Sequence, residues 1–334
     1  LSRLFEAPVV SALPKTTRLK ERARGATTQF FFFTFLTLYS QENIMAVTLD
    51  MVKNLREMTG AGMADCKKAL DESNGDMDGA VEYLRKRGAA SAAKRADRST
   101  NEGLIVTKTS DNGKAAAIVE INCETDFVAR NEEFVHFANT VVNTVLTNNP
   151  QSEEALLSTD IGGKKLGDLM NEMLAKFSER IIIKRYERLE AATASGFIVD
   201  YIHTGNKLGV LVELTAAPAN DAARAQMRDI AMQVAAMSPR FVRREEVDTQ
   251  TLNKEKEIYM EQAIQQGKKP EIAQKVAEGR VEKFYQEFCL VEQTFVKDSG
   301  KAVADVLKEI GSGVDVKRFR RFFLGEVGEA AANN

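Results

Sequence analysis

A chain of 334 residues, 44% hydrophobic and 28% charged with a net charge of −2, has room for two or three folded units and lacks the strong field that would point to nucleic acid or an acidic membrane. Its three cysteines, Cys66, Cys123 and Cys289, stand far apart without a CxxC pair, which fits a reducing compartment and excludes a thiolate metal knuckle. Only His136 and His203 supply imidazole, with no HExxH, so neither a metal site nor a cofactor is expected.

Residues 1–44 hold six basic and three acidic residues and an apolar run from Phe30 to Leu38. That run is about half of what a bilayer crossing requires, and no small-residue cleavage site follows it. The expectation is an upstream extension, disordered or misassigned, with translation starting at Met45.

Residues 46–88 read as a three-helix bundle. Val52, Leu55 and Met58 make one apolar face, Cys66, Ala69 and Leu70 a second, and Met77, Val81 and Leu84 a third. Gly60-Ala61-Gly62 breaks the first helix, and Asn74-Gly75-Asp76 supplies a glycine stop followed by an N-cap. A bundle this small is marginal alone and suits a docking module on a larger chain. From Arg85 to Arg98 come six basic residues and one acidic one, read as a solvated helix running into a basic linker over 89–100. Such a run can touch phosphates, but no aromatic residue interrupts it to stack on bases.

Residues 101–190 and 191–330 form an α+β core of two related subdomains. Gly103-Leu104-Ile105-Val106 recurs as Gly196-Phe197-Ile198-Val199, and Val119-Glu120-Ile121 as Val212-Glu213-Leu214, both offset by 93. Each copy carries a turn between two apolar runs, Asp111-Asn112-Gly113 in the first and Gly205-Asn206 in the second, and then an amphipathic helix. In the first, Phe134, Ala138, Val141 and Val145 share the apolar face; a further helix over Leu166 to Phe177 and a strand from Ile181 follow. Ser238-Pro239 ends the helix of the second copy. Residues 249–293 interrupt the pattern with two charged helical stretches joined by Gly267-Lys268-Lys269-Pro270, an inserted antiparallel helical hairpin. The chain re-enters the core at Thr294 to Val296, with a helix over Val303 to Ile310 and a closing run from Phe319 to Val327.

The copies differ at one corner. Cys123-Glu124-Thr125-Asp126-Phe127-Val128-Ala129 leaves a strand and places Phe127 at a loop tip, whereas at the same offset Asp126 and Phe127 fall on Ala219 and Asn220. A scaffold that differs from its own copy at one exposed corner implies that the corner does something other than support the scaffold. On local sequence alone, Phe127 also reads as a staple on the first turn of the next helix. No catalytic constellation accompanies it: Gly162-Gly163-Lys164-Lys165 lacks the spacing of a phosphate loop, and no GxSxG or GxGxxG is present.

The run from Val52 to Leu70 (VKNLREMTGAGMADCKKAL) resembles the N-terminal signature of the translation elongation factor Ts family, and Cys123 to Ala129 resembles its second signature. The resemblance extends from Met45 to about Glu329 and includes the helical hairpin, which favours the bacterial type. It implies a cytoplasmic guanine nucleotide exchange factor, not an enzyme, that binds elongation factor Tu and releases its GDP without membrane, nucleic acid or small-molecule substrate. The first unit then resembles a ubiquitin-associated-type bundle docking on the partner, with Arg56 and Met63 at contact positions. Thr125, Asp126, Phe127 and Val128 match the element that disturbs the partner's magnesium site, and His203 matches a further contact. Two other classes stay open, a nucleic-acid-binding ribosome accessory using Arg85 to Arg98 and a ubiquitin-type adaptor using the bundle alone.

Overall fold

Local sequence accounts for each helix of the first unit. The Thr48 hydroxyl caps α1 (Leu49–Thr59) by accepting from Met51 N, and Gly60 ends it at φ 67°. After α2 (Met63–Glu72), Asn74 and Gly75 both turn left-handed, and Gly75 N bonds back to Leu70 O. The Asp76 carboxylate then accepts from Gly79 N and opens α3 (Met77–Lys94). Val52, Leu55, Cys66, Ala69, Leu70, Ala80 and Leu84 fill the small core. Met58 does not join the face that its spacing predicts. It stands 65% exposed on the rim of a groove where the bundle meets the core.

The computed structural model describes residues 47–95 and 97–326, so the expectations for residues 1–44 and for a start at Met45 lie outside the described residues. The first half of the core runs β1 (Glu102–Thr109), β2 (Ala115–Cys123), a single turn α4 (Asp126–Ala129), α5 (Glu132–Asn148) and α6 (Glu153–Ser158). It continues with the short strands β3 (Asp160–Ile161) and β4 (Lys164–Lys165), then α7 (Leu166–Phe177) and β5 (Ile182–Glu190). The second half runs β6 (Phe197–Ile202), β7 (Leu208–Leu214), α8 (Asp221–Met237), α9 (Thr249–Gln265), α10 (Pro270–Phe288), β8 (Thr294–Phe295), β9 (Asp298–Ala302), α11 (Val303–Ile310) and β10 (Val316–Phe323). Each half builds a three-stranded antiparallel sheet, in the orders β1-β2-β5 and β6-β7-β10.

The central strands β2 and β7 read as almost continuous apolar runs because both of their faces are covered. Strand alternation sends Leu104, Val106, Val119 and Ile121 toward the first half's own helices, with Phe134 and Val141 of α5 in the same core. It sends Ile105 and Ile118 the other way, into a core shared with Ile198 and Leu211 of the second half. The halves are tied by reciprocal bonds: Ile105 N donates to Asn206 O at 2.7 Å, and Ile198 N donates to Gly113 O at 2.8 Å. Gly113 is irreplaceable at that contact, since it holds φ +66° and a Cβ would lie 2.1 Å from the Phe197 ring.

The inserted hairpin follows its turn chemistry. Asp248 caps α9 through Thr251 N, Gly267 turns at φ 84°, and Pro270 takes the first helical position of α10. Among the described residues no helix is long and apolar enough to cross a membrane.

Candidate functional site

The corner at Thr125 is built from β2 outward. Beyond Cys123 the chain leaves the sheet, and the Thr125 hydroxyl accepts from Val128 N at 3.4 Å to cap the α4 turn. Val128 points inward and is buried in the first half's core, while Phe127, one residue earlier on the same turn, is 83% exposed. Asp126 and Arg130 form an ion pair at 3.0 Å across the turn. A hydrophobic staple would bury the ring, so that alternative for Phe127 does not describe this corner. After Arg130 the chain restarts as a helix capped by Asn131, whose side chain accepts from Glu133 N at 2.9 Å.

The internal repeat gives this corner a control. The helix of the second half is capped by Asn220, which accepts from Ala223 N at 2.8 Å. The two caps, Asn131 and Asn220, are 89 residues apart, whereas the strands before them are 93 apart, so the first half carries four extra residues at the corner. Four is the length of α4. The alignment of Phe127 with Asn220 is therefore corrected: a constant offset slides past the insertion, and Phe127 has no counterpart in the second half.

The root of the corner is held by side chains that local sequence gives no reason to choose. Glu179, just after α7, accepts from Glu124 N at 3.0 Å, Thr125 N at 3.1 Å and Thr125 Oγ1 at 2.6 Å. Glu124 in turn accepts from Arg180 N at 2.6 Å and from the Arg98 guanidinium at 3.2 Å. The Arg180 amide, more than Arg98, holds the Glu124 carboxyl below the usual carboxylate range against the opposing effect of burial. Beneath the corner the Cys123 thiol donates to Thr125 O at 3.1 Å, and burial, assisted by the Glu179 charge, pushes it up to about 12. One signal points toward Glu179. Pairing β5 antiparallel to β2, with Ile182 opposite Asn122, carries Glu179 and Arg180 past the end of β2.

The structure gathers Thr125, Asp126, Phe127 and Val128 into one corner and places Arg56 on α1, Met63 at the start of α2 and His203 in the turn after β6. All three are exposed, and His203 Nδ1 lies 3.0 Å from Tyr201 Oη. Four arginines of the basic stretch are engaged in contacts with other parts of the chain. Arg85 pairs with Glu172 at 3.0 Å, Arg87 with Asp65 at 2.5 Å and Arg98 with Glu124 at 3.2 Å, while Arg95 donates to Leu174 O at 3.2 Å. Among the described residues no group of three or more His, Cys, Asp and Glu side chains is placed to hold a metal ion.

Comparison with known proteins adds a family. The family model "Elongation factor TS" matches residues 124–326. The chain is similar to the elongation factor Ts of Clostridium perfringens, 45% identical over 285 residues that cover 84% of this chain and 93% of the relative. It is also similar to that of Aquifex aeolicus, 44% identical over 289 residues, 84% of this chain and 99% of the relative. With the protein of Prosthecochloris aestuarii it shares 47% identity over 283 residues, 82% of this chain and 97% of the relative.

Proposed function

The chain belongs to the elongation factor Ts family, and from that premise we propose that it is the cytoplasmic exchange factor that takes GDP from elongation factor Tu during translation. The observation that carries the mechanism is an aromatic ring, Phe127, 83% exposed on a turn whose other apolar residues, Val128 and Ala129, pack into the core. An exposed phenylalanine loses hydration cost when it enters a partner, and a ring on a fixed turn loses little entropy in doing so.

The partner's GDP is held by phosphate-loop amides and a magnesium ion that demands near-octahedral coordination. Phe127 wedges between partner side chains near that ion, Asp126 makes a polar contact beside it, and displacement of the ion's outer shell weakens nucleotide binding. Arg56 and Met63 on the bundle and His203 on the second half contact other surfaces of the partner. Linkage makes the effect mutual: whatever factor this protein removes from nucleotide affinity, nucleotide removes from its affinity for the partner. Incoming GTP therefore expels it, and the chain needs no chemistry of its own.

The test is release of labelled GDP from purified elongation factor Tu, with and without this protein. Wild type accelerates release, and Phe127→Ala lowers the acceleration about ten- to a hundredfold, as expected for an interface anchor. Equal rates with mutant and wild type would remove the wedge mechanism.

A further inference from the structure

Resting on that exchange reading, we infer that Glu179 is the positioning residue that holds Phe127 ready for insertion, acting through the Thr125 hydroxyl. Three donors converge on its carboxylate: Glu124 N and Thr125 N on Oε2, at 3.0 and 3.1 Å, and Thr125 Oγ1 on Oε1 at 2.6 Å. A carboxylate offers acceptors on both oxygens, whereas an amide would aim N–H donors at one of these groups. The clasp is reciprocal, since the Glu124 side chain takes Arg180 N at 2.6 Å, so consecutive residues on each side hold the other's backbone.

Glu179 can bear this role because its own backbone is fixed. It follows Ser178, which ends α7 in the left-handed region at φ 55°, and precedes Ile181, which is buried in the first half's core. The turn it serves cannot hold itself, because a four-residue helix lies far below the length at which helices are stable alone. A hydroxyl that gives its proton to Glu179 turns a lone pair toward Val128 N, and that cap closes the turn carrying Phe127. The ring has no packing of its own and takes its position from the turn, which buried Val128 anchors on one side and the clasp closes on the other.

The second half closes its corresponding corner differently. There Thr215 N donates to Asp315 O at 2.9 Å and Thr215 Oγ1 donates to Gly313 O at 2.9 Å. Main-chain carbonyls suffice where no ring is displayed, and a carboxylate clasp appears where one is.

GDP release from elongation factor Tu, measured as a function of exchange-factor concentration, separates positioning from mere stability. A destabilised protein lowers the active concentration, which raises the half-saturating concentration and leaves the plateau rate alone. Loss of positioning lowers the plateau instead. Glu179→Gln is expected to lower the plateau about tenfold, the effect of losing one charge-assisted hydrogen bond, with half-saturation unchanged. In a Phe127→Ala background the same substitution changes the plateau less than about twofold, because its effect travels through the ring. Amide hydrogen exchange on the isolated protein speeds at Glu124 and Thr125 but not along α5. Should Glu179→Gln fold poorly, Thr125→Val, which deletes only the clasped hydroxyl, lowers the plateau by the same route. The inference is overturned by an unchanged plateau in both variants, or by full additivity with Phe127→Ala. Wild type that fails to accelerate GDP release overturns the exchange reading directly, while the amide measurement still reports whether the clasp orders the corner.

Discussion

Cys123 shows how one buried atom serves the corner without reacting. Its thiol, fully enclosed, is pushed up from 9.0 to about 12 by burial and then by the Glu179 charge, and Cys289 reaches about 12 by burial and then Glu292. Both stay protonated through the physiological range, so they are poor nucleophiles, and Cys123 remains a donor to Thr125 O. The consequence for stability has a definite sign. Between pH 9 and 12 the unfolded chain releases these protons while the folded chain keeps them, so the contribution is complete below pH 9 and is lost as pH rises toward 12. Each thiol adds a slope of about 1.4 kcal/mol per pH unit in that window. Urea unfolding of wild type and Cys123→Ala at several pH values above 9 reads this directly: the stability gap between them narrows as pH rises. A constant gap would mean that the thiol ionises as easily folded as unfolded.

The helical hairpin is the element most separable from the rest. Along α9 and α10 the buried seam consists of Ala263, Ala273 and Ala277, and only at the base does a larger cluster of Phe241, Val247, Phe284 and Cys289 anchor it. Small residues let the two backbones approach but bury little area, and Ile258, Met260, Ile264 and Ile272 stay exposed. Replacing residues 254–280 with a short flexible loop should therefore shift the thermal midpoint of the core by no more than about 4 °C, a change of about 1–2 kcal/mol for a chain of this size. A collapse of the cooperative transition would show that the core depends on the hairpin. This element is legible in the sequence, because two apolar stripes flank a Gly/Pro turn and all the needed signals are local. Strand β10 is not legible as the third member of its sheet, since it pairs with β7 about a hundred residues earlier and nothing local selects that partner. The corner of Phe127 is legible as a break in the repeat. Its four-residue insertion and the Glu179 clasp are not, because each depends on how distant strands end beside one another.

Across the whole molecule, the repeat is locked by two buried glutamates on the faces that meet between the halves. Glu120 is fully buried and Glu213 is 1% exposed; each lies in its sheet's central strand and takes an arginine Nε at 2.6 Å, from Arg185 and Arg318 respectively. Further bonds cross over. Glu120 accepts from Gly325 N at 3.2 Å, Arg185 donates to Phe323 O at 3.1 Å and Arg318 donates to Glu190 O at 2.7 Å, while within its own half Glu213 also accepts from Ala192 N at 2.6 Å. Each ion pair lies within one half and adds bonds to the other half's chain, so separating the halves would break the bonds of Glu120 to Gly325, Arg185 to Phe323 and Arg318 to Glu190. The two halves should therefore unfold in urea as one cooperative unit, and Glu120→Ala should destabilise that unit by about 3–5 kcal/mol, the loss expected when one partner of a buried pair is removed. Replacing both partners with apolar residues, Glu120→Met with Arg185→Met, should recover most of that loss, because no charge is then left unpaired. Two separate transitions in wild type, or a double variant no better than Glu120→Ala, would mean that the crossed bonds do not lock the halves. A single transition would mean that Phe127, in the first half, and His203, in the second, approach a partner as parts of one rigid body rather than on independent lobes.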